Sequence, residues 1–315
     1  MTYKTGSITS NTPGRALFDL LDPDIVGVGF VRVETGHTAG GVTWNVYRSP
    51  AASNFFGSDW YFALGYDTTG QTTLYSCVME DWNETSKLAS RFAPSTAALV
   101  PGIGYINPQS PAALPAGFTL SHALPATVFT YAYSTLIDRV AIAAWTSTTV
   151  GRFSWYIGLY DSFYSTVDDP FPLCICVLGK AYAQTTNVRT DGASTREPMT
   201  TTSNTDNFAV IQGGRGNISN VVYPYIWNTP VINLYQGSRN WISRVVVGGR
   251  GGQNTSIGGQ GVLSYPRGMF RDIYATAWTN PLNGDRYTWT SNGQSYAGVM
   301  YRETSALGPI LIAEY

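Results

Sequence analysis

The chain has 315 residues, enough for one large domain or two medium ones, each with a real core. Only 12% of the residues are charged, about half the ~25% usual in a soluble domain, and the formal net charge is −1. Nineteen Lys and Arg spread over the whole length do not make the clustered basic surface that a phosphate backbone requires, which argues against nucleic acid as a partner.

Aromatic residues reach 14%, with 9 Trp and 21 Tyr. Few charges and many rings suit a subunit whose faces are covered by neighbours, because interface cores lose charge and gain aromatics. A secreted all-β protein has a similar composition. The 3 cysteines, Cys77, Cys174 and Cys176, are odd in number and lack framework spacing, which argues against a disulfide scaffold. Cys174 and Cys176 share one face if their segment is a strand, and a C-x-C alone lacks the other ligands of a zinc site, so all three read as small core residues. The opening MTYKTGSITSNTPG has no apolar segment of a signal peptide, and no run approaches the ~18 apolar residues of a membrane span. The expectation is a protein that folds in a reducing cytoplasm without crossing a membrane.

In chain order, the first expected element is a helix. Thr12 is placed to cap it, Pro13 takes its first position, and Leu17, Phe18, Leu20 and Leu21 supply an apolar stripe. Asp22-Pro23 is expected to end it, since a residue before proline is pushed out of helical geometry. Strands follow. Trp60, Phe62, Leu64 and Tyr66 alternate on one face, Asp67-Thr68-Thr69-Gly70 is a turn with Gly70 near its positive-φ position, and Leu74, Ser76, Val78 and Glu80 alternate with Thr73, Tyr75, Cys77 and Met79. This is a hairpin. VFTYAYST and VAIAAWT form a second pair about a Leu-Ile-Asp-Arg corner, and FSWYIGLYD places Phe153, Trp155, Ile157 and Leu159 on one face. Trp60–Asp67 also resembles Trp155–Asp161 with one residue dropped, which is either chance in an aromatic-rich chain or a duplication.

Two stretches interrupt the pattern. Residues 94–126 hold Pro94, Pro101, Pro108, Pro111, Pro115 and Pro125 and are expected to be a long loop or an arm over a neighbouring subunit, never a central strand. Residues 184–207 are polar and read as a linker. Beyond them NFAVIQ, VVYPYIW, VINLYQ and NWISRVVV are expected strands, Gly237-Ser238, Asn283-Gly284 and Asn292-Gly293 are expected turns, and GPILIAEY closes the chain as a strand.

GGRG occurs twice, at Gly213–Gly216 and Gly248–Gly251. A phosphate cradle needs a helix directly after the glycines, and none is expected after either copy. RNA-binding RGG tracts come in many copies in disordered sequence. Both copies therefore read as corners between strands, with Arg215 and Arg250 available to a partner subunit.

Chemistry-bearing residues are sparse. His37 and His122 lie in loop-like sequence without a Cys or His at metal spacing. Asp22/Asp24, Glu80/Asp81/Glu84 and Asp168/Asp169 are the carboxylates from which a glycosidase pair would be drawn. Glu80-Asp81-Trp82 sits after a strand, where a solvated turn naturally holds acids. No catalytic, cofactor-binding or metal-ligating residue is assigned.

The opening MTYKTGSITSN…ALFDLLD, followed by WNVYRSPAASNFFGSDWYFALGYDTTGQTTLYSCVMEDWNETSKLASRFAP, resembles virion structural proteins of tailed bacteriophages. The quoted features are a short start leading to a helix, a W-x-V-Y-x-S-P…G-x-D-W-Y block, then Glu80-Asp81-Trp82-Asn83. The segment from Ile137 to Ser165 is similar as well. The likeness covers roughly residues 1–180 and is one of pattern. It implies a non-enzymatic particle subunit of the tail, baseplate, collar, fibre attachment or capsid surface, located in the virion after assembly in the host cytoplasm, and it carries over no catalytic residue.

The expected fold is mainly β, with antiparallel sandwich-like sheets, one short N-terminal helix and long loops. A first part, 1–183, holds the helix, a β domain and the arm 94–126; 184–207 links it to a C-terminal β domain, 208–315. The expected partners are copies of itself and other virion proteins, met through low-charge, aromatic-rich faces. A second reading is a receptor- or carbohydrate-binding tail protein that presents Tyr287, Trp289 and Tyr296 to a host surface glycan from loops such as 248–261 or 281–295. A polysaccharide-degrading tailspike is the third.

Overall fold

The structure is a computed structural model that describes residues 2–53, 59–92, 99–100, 104–105, 111–116, 119–163, 173–177, 208–211, 222–225, 242–250, 264–276, 282–291, 293–301 and 310–314. Strand β1 (Thr2–Ile8) leads into helix α1 (Pro13–Gly27), and then come β2 (Val31–Ala39), β3 (Val42–Arg48), β4 (Tyr61–Asp67), β5 (Thr73–Asn83) and β6 (Leu88–Phe92). A small pair, β7 (Leu99–Val100) and β8 (Gly104–Tyr105), precedes β9 (Thr119–Ala123), β10 (Phe129–Leu136), β11 (Arg139–Ser147), β12 (Val150–Leu159), β13 (Asp161–Ser162) and β14 (Leu173–Val177). The remainder is β15 (Phe208–Ile211), β16 (Val222–Tyr225), β17 (Ile242–Arg250), β18 (Ser264–Thr276), β19 (Arg286–Ser291), β20 (Gln294–Tyr301) and β21 (Ile310–Glu314). The fold is mainly β and antiparallel, with a single α-helix among the described residues.

These strands make three stacked sheets. The first has the order β2-β3-β4-β5, with β6 and β9 sharing the far edge of the long β5. The central sheet runs β1-β10-β11-β12-β14-β15, and the third runs β16-β17-β18-β21-β20-β19 with β13 against β18. The central sheet is buried on both faces, which the period-2 geometry of its strands makes visible. Val140, Ile142 and Ala144 of β11 turn toward α1 and the first sheet, while Ala141, Ala143 and Trp145 turn toward Phe270, Ile273, Val299 and Ile312 of the third. A strand apolar at nearly every position is what two covered faces require. The low charge of the sequence has the same origin.

Among the described residues many of the largest rings are interior. Trp44, Trp60, Trp155, Tyr47, Tyr133, Tyr156 and Tyr160 are among the largest fully buried side chains. Among the described residues the aromatics left outside these cores include exposed Phe163, half-buried Tyr61, Tyr66 and Tyr75 of the first sheet, and a half-buried group on the third sheet. The two echoing segments, around β4 and β12, contribute to one buried cluster: Trp60, Phe62 and Leu64 belong to it together with Trp155, Ile157 and Leu159.

Several expected elements differ in detail. Helix α1 continues through Pro23 to Gly27. Proline costs about 3 kcal/mol inside a helix, but Ile25 extends the Leu17, Phe18, Leu21 stripe into the core at 0% exposure, and Asp22 and Asp24 are both tethered from outside the helix. Thr12 occupies the N-cap position without a side-chain cap; its hydroxyl lies 3.2 Å from that of Ser10 instead. β1 was not expected as a strand. It is an edge with mostly polar side chains, and only Ile8 is buried. Within the expected arm 94–126, the portion nearest its end lies on its own chain: Ala112 exchanges backbone bonds with Ala89, Leu114 and Ala116 are buried beside Trp44 and Met79, and β9 pairs β5. The expected linker 184–207 lies outside the described residues. On either side of it β14 and β15 pair in the central sheet, and the third sheet shares a core with the central one. Of the described strands from 208 onward, β15 thus extends the central sheet and β16 to β21 form the sheet packed on it.

The β4–β5 turn forms as expected, but its positive φ falls on Gln71, at 54°, rather than on Gly70. The Asp67 carboxylate organises it, accepting from the amides of Gly70 (2.8 Å), Gln71 (2.7 Å) and Thr73 (2.6 Å). Burial alone would raise this carboxyl; the three amides outweigh it and hold it below the usual carboxylate range. A depressed folded value stabilises the fold above the unfolded pKa of about 3.9 and loses that contribution as pH falls through the folded value. Asp67→Asn is expected to cost about 1–2 kcal/mol at neutral pH and to flatten the fall in stability below about pH 4. Urea midpoints measured from pH 7 to 3 check this; wild-type and variant curves that stay parallel would contradict it.

Candidate functional site

Of the candidate acids, Asp22 and Asp24 are engaged in holding the fold. Asp22, on α1, accepts from Asn45 Nδ2 at 2.9 Å and Tyr47 Oη at 2.5 Å and pairs with Arg32. Burial, reinforced by Asp22, pushes the Tyr47 phenol well up. Asp24 accepts from Tyr133 Oη at 2.5 Å and pairs with Lys4 of β1 at 2.7 Å. These two carboxylates of one helix are thus directed to different sheets. Glu80 is buried on β5, whereas Asp81 and Glu84 are exposed at and beyond the strand's end. Asp168 and Asp169 lie outside the described residues.

His37 sits on β2 with its ring 6.0 Å from that of Trp82, and His122 sits on β9 with its ring 5.2 Å from that of Phe153. Cys77 and Cys174 are buried and not joined in a disulfide, and burial pushes the Cys77 thiol up to about 12. Among the described residues no group of three His, Cys, Asp or Glu is arranged to hold a metal ion, and no helix is long and apolar enough to cross a membrane. The first GGRG, with Arg215, lies outside the described residues. The second is not a corner: Gly248, Gly249 and Arg250 are the end of β17, paired on both sides with Tyr223 and Pro266, Val222 and Tyr265, and on one side with Ser264. The register shifts between Val247 and Gly248, beside Pro266, which has no amide to give to the ladder.

Tyr287, Trp289 and Tyr296 come together. They lie on the β19–β20 hairpin, whose flanking Gly284 and Gly293 take positive φ values of 91° and 75° as turn residues do. Trp289 and Tyr296 are cross-strand partners with ring centroids 5.7 Å apart and planes 15° from parallel. Tyr274 of β18 meets the Trp289 ring at 4.8 Å, near edge-on. Gly298 leaves room for this arrangement, since a Cβ there would lie 3.1 Å from the Trp289 ring. Asp285 and Gln294 accept from the hydroxyls of Tyr287 and Tyr296, each at 3.1 Å. The result is a half-buried aromatic platform with polar groups at its ends, on the outer face of the third sheet.

The densest charged cluster was not legible in the sequence. It joins the central and third sheets at the β10–β11 corner. Arg139 pairs with Asp138, at 2.5 Å, and with Asp272; Arg271 pairs with Asp138 and Asp161; Arg244 pairs with Asp161. Asp138, Arg139 and Asp272 are buried, at 5–6% exposure. Burial would raise Asp161, but Arg244 and Arg271 outweigh it and hold it low; burial would lower Arg271, and Asp138 and Asp161 overcome that and raise it. Three cations matched to three anions across a sheet interface act as a clamp.

No protein-family model matches the chain, and no curated protein matches it either.

Proposed function

We propose that the chain is a non-enzymatic structural subunit of a tailed-phage particle, in the tail, baseplate, collar, fibre attachment or capsid surface, that works by contact with copies of itself and with other virion proteins. The observation that carries this reading is the destination of the carboxylates. Asp22 and Asp24 pin α1 to the first and central sheets, Asp138 and Asp272 pin the central sheet to the third, and Asp161 braces the third sheet itself. With only 12% of its residues charged and several of these buried between layers, the chain has few charges left for its exterior, and such surfaces desolvate cheaply on association. The expected result is that purified particles contain the chain, and that a label on it appears at symmetric positions in images of the intact particle. A chain that is strictly monomeric and absent from particles would remove the proposal.

The Trp289–Tyr296 platform favours a second reading as a receptor-binding tail protein, because flat ring faces beside hydrogen-bonding groups suit a host surface glycan. On a glycan array, Trp289→Ala is then expected to lose about tenfold or more in affinity for the glycan bound. A subunit that is only structural shows no glycan preference to lose.

A further inference from the structure

We infer that β19 is a self-pairing edge, through which two copies of the chain join their third sheets into one continuous antiparallel sheet about a two-fold axis at Thr288. The inference rests on the reading of the chain as an assembling subunit and names the surface used.

The argument starts from how sheet edges are protected. An uncovered edge offers a row of unpaired amides and carbonyls to any other strand, and proteins blunt it with lysine, proline, bulges or brevity. The other described edges carry such devices. β1 presents Lys4, 45% exposed. β2 is broken by two register shifts against β3. β6, β9, β15 and β16 span five residues or fewer, and β16 contains Pro224. β19, Arg-Tyr-Thr-Trp-Thr-Ser, has none of them. It keeps unbroken register with β20 over its whole length, holds neither Lys nor Pro, and is rich in residues of high β propensity. Its one charge, Arg286, sits at its first position and is paired with Glu314. No other described strand pairs with its second side, and Arg286, Thr288 and Thr290 are exposed.

The hydrogen-bond phase fixes which groups face outward. The amide of Met300 donates to the carbonyl of Asp285 at 2.8 Å. With the antiparallel period of two, Tyr287, Trp289 and Ser291 turn their backbone groups toward β20, and Arg286, Thr288 and Thr290 turn theirs to the open side. These three residues are self-complementary. With Thr288 on a two-fold axis, Thr288 meets its own copy and Arg286 meets Thr290, which closes about six backbone hydrogen bonds. Any other axis leaves some outward groups unpaired or places them beyond the strand. The same register sets Trp289 opposite the second copy's Tyr287 in a non-hydrogen-bonded pair, where cross-strand side chains lie closest and aromatic pairs contribute most. The aromatic platform of each copy becomes part of one row. The contact is isologous, so it closes as a dimer.

The test uses the full chain. Thr288→Pro removes an outward amide that β20 does not use, so the strand stays compatible with its own sheet while the joint loses its central bonds. In sedimentation velocity the wild type is expected at about twice the 34.2 kDa chain mass and Thr288→Pro at a single chain mass, with far-UV circular dichroism confirming that the variant is folded. Thr288→Cys supplies a readout that does not depend on disruption. On the axis its Cα lies about 5.5 Å from its own copy, within disulfide reach, whereas Thr290→Cys would be separated by roughly 14 Å. Mild oxidation is therefore expected to cross-link the first variant and not the second, above the wild-type background from the native cysteines. If the wild type associates but Thr288→Pro associates equally, or Thr290→Cys cross-links as readily as Thr288→Cys, this edge is overturned while the assembling-subunit reading stands. If the wild type is monomeric at all concentrations, the self-pairing is overturned, and presence of the chain in particles then decides the broader reading separately.

Discussion

Arg139→Ala is expected to destabilise the protein by about 3–5 kcal/mol, the range seen when one partner of a buried ion pair is removed and the other is left uncompensated. Arg139 reaches two carboxylates, Asp138 beside it and Asp272 from the third sheet, and all three side chains are 7–8% exposed. Without the guanidinium, Asp138 retains Arg271, but Asp272 loses its ion pair among the described residues while staying in the interior. It must then ionise in a low-dielectric site, take up a proton or pull the sheets apart to reach water, and each route costs stability. The double variant Arg139→Met with Asp272→Asn removes both charges at similar volume, so its loss is expected to be well below the sum of the single losses. A double-mutant cycle by urea denaturation, followed by tryptophan fluorescence, measures the coupling. A single variant within about 1 kcal/mol of wild type would mean that the cluster is solvated and that the layers do not depend on it.

The legible and illegible parts of this fold divide by the range of the interactions that decide them. The β4–β5 hairpin was legible because alternation of Trp60, Phe62 and Leu64 about an Asp-Thr-Thr-Gly turn is local information, and the core honours it. Around β19 and β20 only the turn signals Asn283-Gly284 and Asn292-Gly293 were legible; Tyr287, Trp289 and Tyr296, expected in loops, lie on the two strands, and the Trp289–Tyr296 pairing was not expected. Pro23 misled because its helix penalty is local while the burial of Ile25 that offsets it is tertiary. Gly248-Gly249 misled because glycines between strands usually mark a turn; here a strand opposite Pro266 continues through them. β1 gave no periodic signal, since an edge strand with one buried side chain has almost no pattern to show. The Asp–Arg clamp was beyond reach: Asp138 and Arg271 are 133 residues apart, and their meeting depends on two sheets stacking in one register. Asp272 also adopts a φ of 62°, a left-handed kink that Asp tolerates better than most residues and that sequence does not announce.

Gly158→Ala is the second large effect expected, at about 3 kcal/mol or more. Gly158 lies in β12 opposite Arg139, between β11 and β14 in the middle of the central sheet. Its φ is 137°, a conformation that side chains rarely adopt, and a Cβ built there would lie 2.3 Å from the carbonyl oxygen of Asp138 and 2.6 Å from Cα of Arg139. Both contacts are backbone, so no rotamer change relieves them. The strands must separate where the amide of Leu159 donates to Asp138 O at 3.0 Å, and that shift also moves the corner from which Asp138 and Arg139 reach the third sheet. The two predictions are therefore linked physically: Gly158→Ala and Arg139→Ala together are expected to cost less than the sum of their separate effects, because the first already loosens the clamp that the second removes. Hydrogen exchange locates the damage. The Leu159 amide should lose protection in Gly158→Ala, while the amides of β4 and β5 keep theirs up to the lowered global limit. Wild-type protection at Leu159, with stability unchanged, would mean that the corner has room for a methyl group and that the sheet junction is looser than these distances require.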